Sequence, residues 1–145
     1  QQGGPGASSI SIGAFQENGF FRLGTTPDLS GIPTRNPWSW NRLANMLYLD
    51  HPAGVGASTC IRRGEAVPCY WDDKSQAEAF AHTLRAFFGK FPARAQSDLY
   101  LTGESYFGQY GTNIAHYILN TNPFREQFRL KGMALGNACH GGNET

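Results

Sequence analysis

The chain has 145 residues, a formal net charge of +1, 40% apolar and 13% aromatic residues. That is enough apolar material for one ordinary packed domain, and so even a charge balance leaves no electrostatic footprint for nucleic acid or an anionic membrane. No apolar run approaches the roughly 18 residues of a membrane span, and no secretory leader is visible.

The opening Gln1-Gln2-Gly3-Gly4-Pro5-Gly6 reads as the loop that follows a strand, with the strand missing. Residues 141–145 end as abruptly, so a piece of a longer polypeptide is expected. Residues 8–17 form a short helix or turn. Residues 18–41, rich in Gly, Pro, Asn and Thr, read as a long surface loop ending in Asn36-Pro37-Trp38-Ser39-Trp40. The apolar run at 45–50 is expected to be a buried strand, stopping at the loop Asp50-His51-Pro52-Ala53-Gly54-Val55-Gly56.

Cys60 and Cys69 bracket a loop-like stretch holding Gly64 and Pro68. They are either a local disulfide or two free thiols. Cys139 is left over, and its pairing partner is expected outside this segment. Asn143-Glu144-Thr145 matches a glycosylation acceptor. Both features lean toward an oxidising, secretory compartment.

Asp72 or Asp73 caps a helix running to about Phe88. Ala77, Phe80, Ala81, Leu84, Phe87 and Phe88 make one apolar stripe for a sheet face, and Gly89 and Pro92 end it. Leu99 to Thr102 is a strand, Phe107 to Leu119 a helix with Tyr110, Ile114, Tyr117 and Ile118 on one side, and Leu130 to Leu135 a further strand. Strands alternating with helices argue for an α/β fold with a largely parallel sheet. Three strands are too few to close the core, which again points to a partial domain.

The chemistry centres on Thr102-Gly103-Glu104-Ser105-Tyr106-Phe107-Gly108. Strand, sharp glycine-flanked turn with a serine at its apex, then helix is the layout of a nucleophile elbow. The turn lifts the serine oxygen clear of the sheet, and the helix N-terminus favours negative charge developing there. A serine between strand and helix is also a common N-cap. For acyl transfer, the Tyr106 N–H supplies one oxyanion donor and a glycine-rich loop after an earlier strand the second. Gly3-Gly4-Pro5-Gly6 fits that loop, with Gly4 as the donor.

Five blocks occur in order: Gly3-Gly4-Pro5-Gly6-Ala7-Ser8-Ser9; Asn36-Pro37-Trp38-Ser39-Trp40-Asn41; Leu47-Tyr48-Leu49-Asp50-His51-Pro52-Ala53-Gly54-Val55-Gly56; Gly103-Glu104-Ser105-Tyr106; and Lys131-Gly132-Met133-Ala134-Leu135-Gly136-Asn137. Together they resemble the serine carboxypeptidase family, the carboxypeptidase Y and cathepsin A type of the α/β-hydrolase fold. The blocks span nearly the whole chain. The resemblance implies removal of C-terminal residues from peptides, usually at acidic pH, in vacuoles, lysosomes or outside the cell, with no cofactor. It also implies that Glu104, Glu17 and Gly3 help hold the terminal carboxylate of the substrate. At Gln2 the family has an asparagine that shares this task. Carboxyl groups crowded beside a substrate carboxylate cannot all ionise comfortably. Protonated Glu17 and Glu104 would donate hydrogen bonds, so activity is expected to fall above about pH 6–7.

Other chemistries fare worse. Gly54-Val55-Gly56 is a lone Gly-x-Gly without the third glycine of a dinucleotide fingerprint. His51, His82, His116 and His140 lack metal-type spacing. His82 and His116 read as helix surface or packing residues, and Asp50 and His51 as loop structure.

The chain departs from the family pattern at four places. In the fold the triad runs Ser, Asp, His, and the last two lie far downstream of the serine in the family. Forty residues follow Ser105 here, so the acid and base are expected in the remainder of the polypeptide or a second processed chain, and the isolated chain is expected to be inert. Phe107 stands where the elbow wants a small residue; its ring must find a pocket or push the turn open. Ala7 replaces a cysteine common in the family. Gln2 is one methylene longer than asparagine and shifts the carboxylate site. Three readings follow: a peptidase segment acting on peptides with a free C-terminus; an acyltransferase or hydroxynitrile lyase on the same scaffold; and a non-catalytic relative that binds peptides or stabilises a partner, which Phe107 and Gln2 favour.

Overall fold

A computed structural model describes residues 1–23, 31–121 and 123–139. The order of elements is a π-helix at Ser9–Glu17, β1 (Phe21–Arg22), β2 (Thr34–Arg35), a 3-10 turn at Trp40–Arg42, β3 (Cys60–Arg62), β4 (Glu65–Val67), α1 (Asp73–Lys90), a 3-10 turn at Pro92–Arg94, β5 (Leu99–Glu104), α2 (Phe107–Asn120), α3 (Phe124–Gln127) and β6 (Leu130–Gly136). β5 and β6 pair in parallel, with Leu101 opposite Met133 and Glu104 opposite Gly136. α2 and α3 form the crossover between them.

α1 begins where the sequence puts its cap. The Asp72 carboxylate accepts from the Ser75 amide at 2.6 Å and the Ser75 hydroxyl accepts from the Asp72 amide at 3.0 Å, which satisfies two otherwise orphaned donors. The helix carries Gly89 and ends only at Lys90, two residues past the expected stop; Pro92 follows at once. Its stripe buries Ala77, Phe80, Ala81 and Leu84 against Tyr110, Ile114 and Ile118 of α2 and Leu101 of β5, with Phe124 and Phe128 at the far end. Leu84, Ile114 and Ile118 are almost wholly removed from water, each contributing about 1.5–3 kcal/mol of burial. This core fixes α2 on β5, and so fixes the turn between them.

Two expectations need correction. Residues 45–50 form no ladder with any described strand, and Leu47 is 40% exposed. An apolar run becomes a buried strand only where neighbours supply its backbone partners. Just beyond the run, the Gln1 side-chain amide donates to the His51 carbonyl at 2.7 Å. The loop at 18–41 is not featureless: β1 and β2 pair antiparallel across it. The Asn36 side chain, 2% exposed, donates to the carbonyls of Glu17 and Gly19 and ties the loop to the end of the π-helix.

Cys60 and Cys69 form a disulfide that closes the β3–β4 hairpin. Cys139 is free and exposed. Asn143 lies outside the described residues.

Candidate active site

Ser105 occupies the turn between β5 and α2 with φ 56°, a left-handed conformation that a non-glycine residue adopts at a cost. The surroundings hold it there. Its amide donates to the Gly136 carbonyl at 3.0 Å, and its carbonyl accepts from Gly108 N at 3.0 Å and Cys139 N at 2.9 Å. The end of β6 and the first turn of α2 thus clamp the serine backbone from two sides. Tyr106 follows as the residue before the helix, with φ −61° and ψ −11°.

The glycine loop lies directly against this turn. A Cβ on Gly3 would meet the Tyr106 amide nitrogen, and would stand 2.7 Å from the Glu104 carbonyl and 3.0 Å from Ser105 Cβ. Only glycine permits that approach. Gly4 has φ +119°, and a turn closes behind it through Ala7 N to the Gly3 carbonyl at 3.1 Å. Neither the Gly4 nor the Tyr106 amide donates to any other described group. Among the described residues both N–H groups are therefore unengaged, that of Tyr106 directly after the serine and that of Gly4 directly after the Gly3 that packs on the turn.

Gln2 is buried, its backbone amide held by Ser9 Oγ at 3.0 Å. Its side-chain amide donates to Glu17 Oε2 at 2.5 Å. Tyr48 stands next to this pair: its hydroxyl donates to Asn18 Oδ1 at 2.7 Å, and burial, helped by the Glu17 charge, pushes its phenol up. Gln2, Glu17, Tyr48 and Glu104 line one cavity of about 1110 Å³. Ser105 is not in its wall and borders it through Glu104 and Phe107. Glu104 itself is exposed. Gln2, Glu17 and Glu104 thus share one cavity, while Gly3 lies against the Ser105–Tyr106 turn.

A further residue anchors the loop. Asp50 accepts from Ser8 Oγ at 2.8 Å, Ile10 N at 3.1 Å and Ala57 N at 3.0 Å. Burial alone would raise its carboxyl, yet these hydrogen bonds outweigh it and hold the group below the usual carboxylate range. Asp50 fastens the residues after the glycine loop to the turn at 54–57. A Cβ on Gly56 would collide with its carboxylate. The sequence reading of Asp50 as loop structure holds, but nothing local marked it as the clamp; its partners are 42, 40 and 7 residues away.

No described histidine serves Ser105 as a hydrogen-bond partner. His51 is buried edge-on to Phe80 and within 3.2 Å of Gln76 Oε1. His82 and His116 are exposed on helices, and His140 lies outside the described residues. Among the described residues no group of His, Cys, Asp and Glu is arranged to hold a metal ion. No described helix is long and apolar enough to cross a membrane.

A parallel βαβ unit with a strained serine at its strand–helix turn and a glycine loop packed against that turn defines the catalytic face of an α/β-hydrolase fold. The match to known proteins is specific. The family model described as serine carboxypeptidase matches residues 1–145, and the chain belongs to that family. It is 42% identical over 137 residues to serine carboxypeptidase-like 46 of Arabidopsis thaliana, covering 93% of this chain and 28% of that protein. It is 41% identical over 139 residues to a probable serine carboxypeptidase, CPVL, of Rattus norvegicus, covering 94% and 27%. The solved structure of Kex1(delta)p, a prohormone-processing carboxypeptidase from Saccharomyces cerevisiae, superposes with a TM-score of 0.81 at 33% identity, over 95% of this chain and 29% of that one. The chain therefore spans under a third of the length of these relatives.

Proposed function

We propose that this chain is the nucleophile-bearing part of a serine-type carboxypeptidase. The observation that carries the reading is the packing of Gly3 against the turn of the strained Ser105 and Tyr106, with the Tyr106 amide and that of the next loop residue, Gly4, unengaged among the described residues. In this reading Ser105 Oγ attacks the carbonyl carbon of the last peptide bond. The negative charge that develops on the carbonyl oxygen is met by the Gly4 and Tyr106 N–H groups, each such donor contributing about 2.7–4 kcal/mol to the transition state. Gln2, Gly3, Glu17 and Glu104 hold the terminal carboxylate on the cavity side. The C-terminal residue leaves with its new amine, and water then releases the acyl group from Ser105.

The proton from Ser105 needs a base, and the described residues offer none in reach. In this fold the Asp and His follow the serine in chain order, so we assign them to polypeptide beyond this chain, which completes the single domain begun here. The large cavity and the two-stranded parallel sheet are consistent with further polypeptide covering that side. The 145-residue chain by itself is then inert. The Cys60–Cys69 disulfide supports passage through the secretory pathway, with the vacuole, lysosome or cell exterior as destination.

The test is to express the protein from its complete reading frame and offer it one peptide with a free C-terminus and the same peptide amidated. Trimming of the free form with the amidated form spared is the expected result. Equal cleavage of both would remove the carboxylate-binding role. Transfer of the acyl group to an alcohol in place of hydrolysis would favour the acyltransferase alternative.

A further inference from the structure

We propose that Phe107 is a positioning residue: its ring, seated between Gly103 and Gly111, sets the height and direction of the Ser105 turn. The positioning role rests on the nucleophile reading above; the seat does not.

Phe107 is the first residue of α2, two after Ser105, and is 1% exposed. Its ring runs inward between strand and helix. A Cβ on Gly103 of β5 would collide with Phe107 Cγ and Cδ1. A Cβ on Gly111, one turn up α2, would stand 2.6 Å from Phe107 Cε1 and 2.8 Å from Cζ. Glycine is a poor choice inside a strand and inside a helix, and an isolated one there marks a close approach. Neither glycine has the positive φ that would explain it by backbone conformation. One ring reaches both positions, and at Gly103 the Gln1 carbonyl lies close as well.

The consequence falls on Ser105. The serine backbone is tied to β6 through Gly136, to the segment after it through Cys139, and to α2 through Gly108. Gly108 in turn lets the 138–139 backbone approach, since its Cβ would meet the Cys139 carbonyl. With those ties fixed, the gap between β5 and α2 decides where the turn sits, and the Phe107 ring fills that gap. A small residue at 107 would let α2 settle toward Gly103 or leave a void, and either moves the Oγ relative to the Gly3–Gly4 loop.

The decisive variants are Phe107→Ala, Gly111→Ala and the pair together, in the protein expressed from its complete reading frame. Gly103→Ala is uninformative, because its Cβ would also meet the Gln1 carbonyl. In the parent, Gly111→Ala drives a methyl into the ring and lowers the melting midpoint. In the Phe107→Ala background the nearest atom left to the methyl is Sδ of the flexible Met133 at 3.1 Å, and better helix propensity raises the midpoint. This reversal of sign is the expected result; the same sign in both backgrounds overturns the seat. The positioning role is read from the rate of Ser105 labelling by a fluorophosphonate, at a temperature where every variant is folded. Phe107→Ala is expected to slow labelling about tenfold or more. An unchanged labelling rate with a lowered midpoint overturns positioning and leaves packing alone. Should Phe107→Ala fail to fold, Phe107→Leu is read in its place, with the same directions. A parent that does not label overturns the positioning role together with the nucleophile reading, while the sign reversal still decides the seat.

Discussion

The side-chain amide of Gln2 donates to the Glu17 carboxylate at 2.5 Å. The contact joins two residues that stand 15 apart in the sequence. The pair presents an ordered amide and carboxylate to the cavity that Glu104 also lines.

Gln2→Ala removes that donor and leaves the Glu17 carboxylate without it. Hydrogen bonds involving a charged partner contribute about 1.5–3 kcal/mol, so KM for a peptide with a free C-terminus is expected to rise about tenfold or more. Labelling of Ser105 by a fluorophosphonate, which has no C-terminal carboxylate, should stay within about twofold. A fall in labelling that matches the rise in KM would show that Gln2 supports the loop and not the carboxylate.

Asp50→Ala releases Ser8, Ile10 and Ala57 together. The three donors lose one shared acceptor, and the glycine loop loses its fastening to the 54–57 turn. A lowered melting midpoint and slower Ser105 labelling are expected from this one change. Because the folded carboxyl is held below its ordinary value, its contribution is full above the unfolded value of about 4. It is lost as pH falls through the folded value. The parent should therefore lose more stability than the variant on strong acidification, as measured by thermal unfolding.

The parts legible in sequence were the local ones. The Asp72 cap and the Ser105 turn rest on residues within about a turn of one another, and the apolar stripe of α1 on steps of three and four residues. The residues 45–50 failed as a strand because pairing depends on neighbours that periodicity does not contain. Asp50 and Asn36 fall within the family blocks, yet their work is done across 40 and 19 residues of sequence. Phe107 read as an obstacle in sequence. Its solution lies in Gly103, four residues before it, and Gly111, four after, which matter only once strand and helix are stacked.

His51 makes the fold sensitive to acid. Burial beside Phe80 holds its imidazole below the ordinary value, and the hydrogen bond with Gln76 pulls back only in part. The unfolded chain therefore binds this proton more readily than the folded one. The stability is present above the unfolded value of about 6.5 and declines below it, down to the folded value. His51→Gln should flatten the fall in melting midpoint between about pH 7 and pH 5. An unchanged slope would mean that other groups carry the acid dependence.

The Cys60–Cys69 bridge closes a short hairpin loop, and a bridge of this span is worth about 2–3 kcal/mol. Reduction, or the pair Cys60→Ser with Cys69→Ser, should lower the melting midpoint without changing the rate of Ser105 labelling in the folded protein. A change in labelling would tie the hairpin to the Ser105 turn.

The most direct measurement is labelling of the protein, expressed from its complete reading frame, with a fluorophosphonate, followed by mass spectrometry of the peptide that spans β5 and α2. The expected result is one adduct on Ser105, abolished in Ser105→Ala and absent from the isolated 145-residue chain. No adduct on Ser105, or an equal rate in the isolated chain, would contradict a nucleophile that depends on a base beyond these residues.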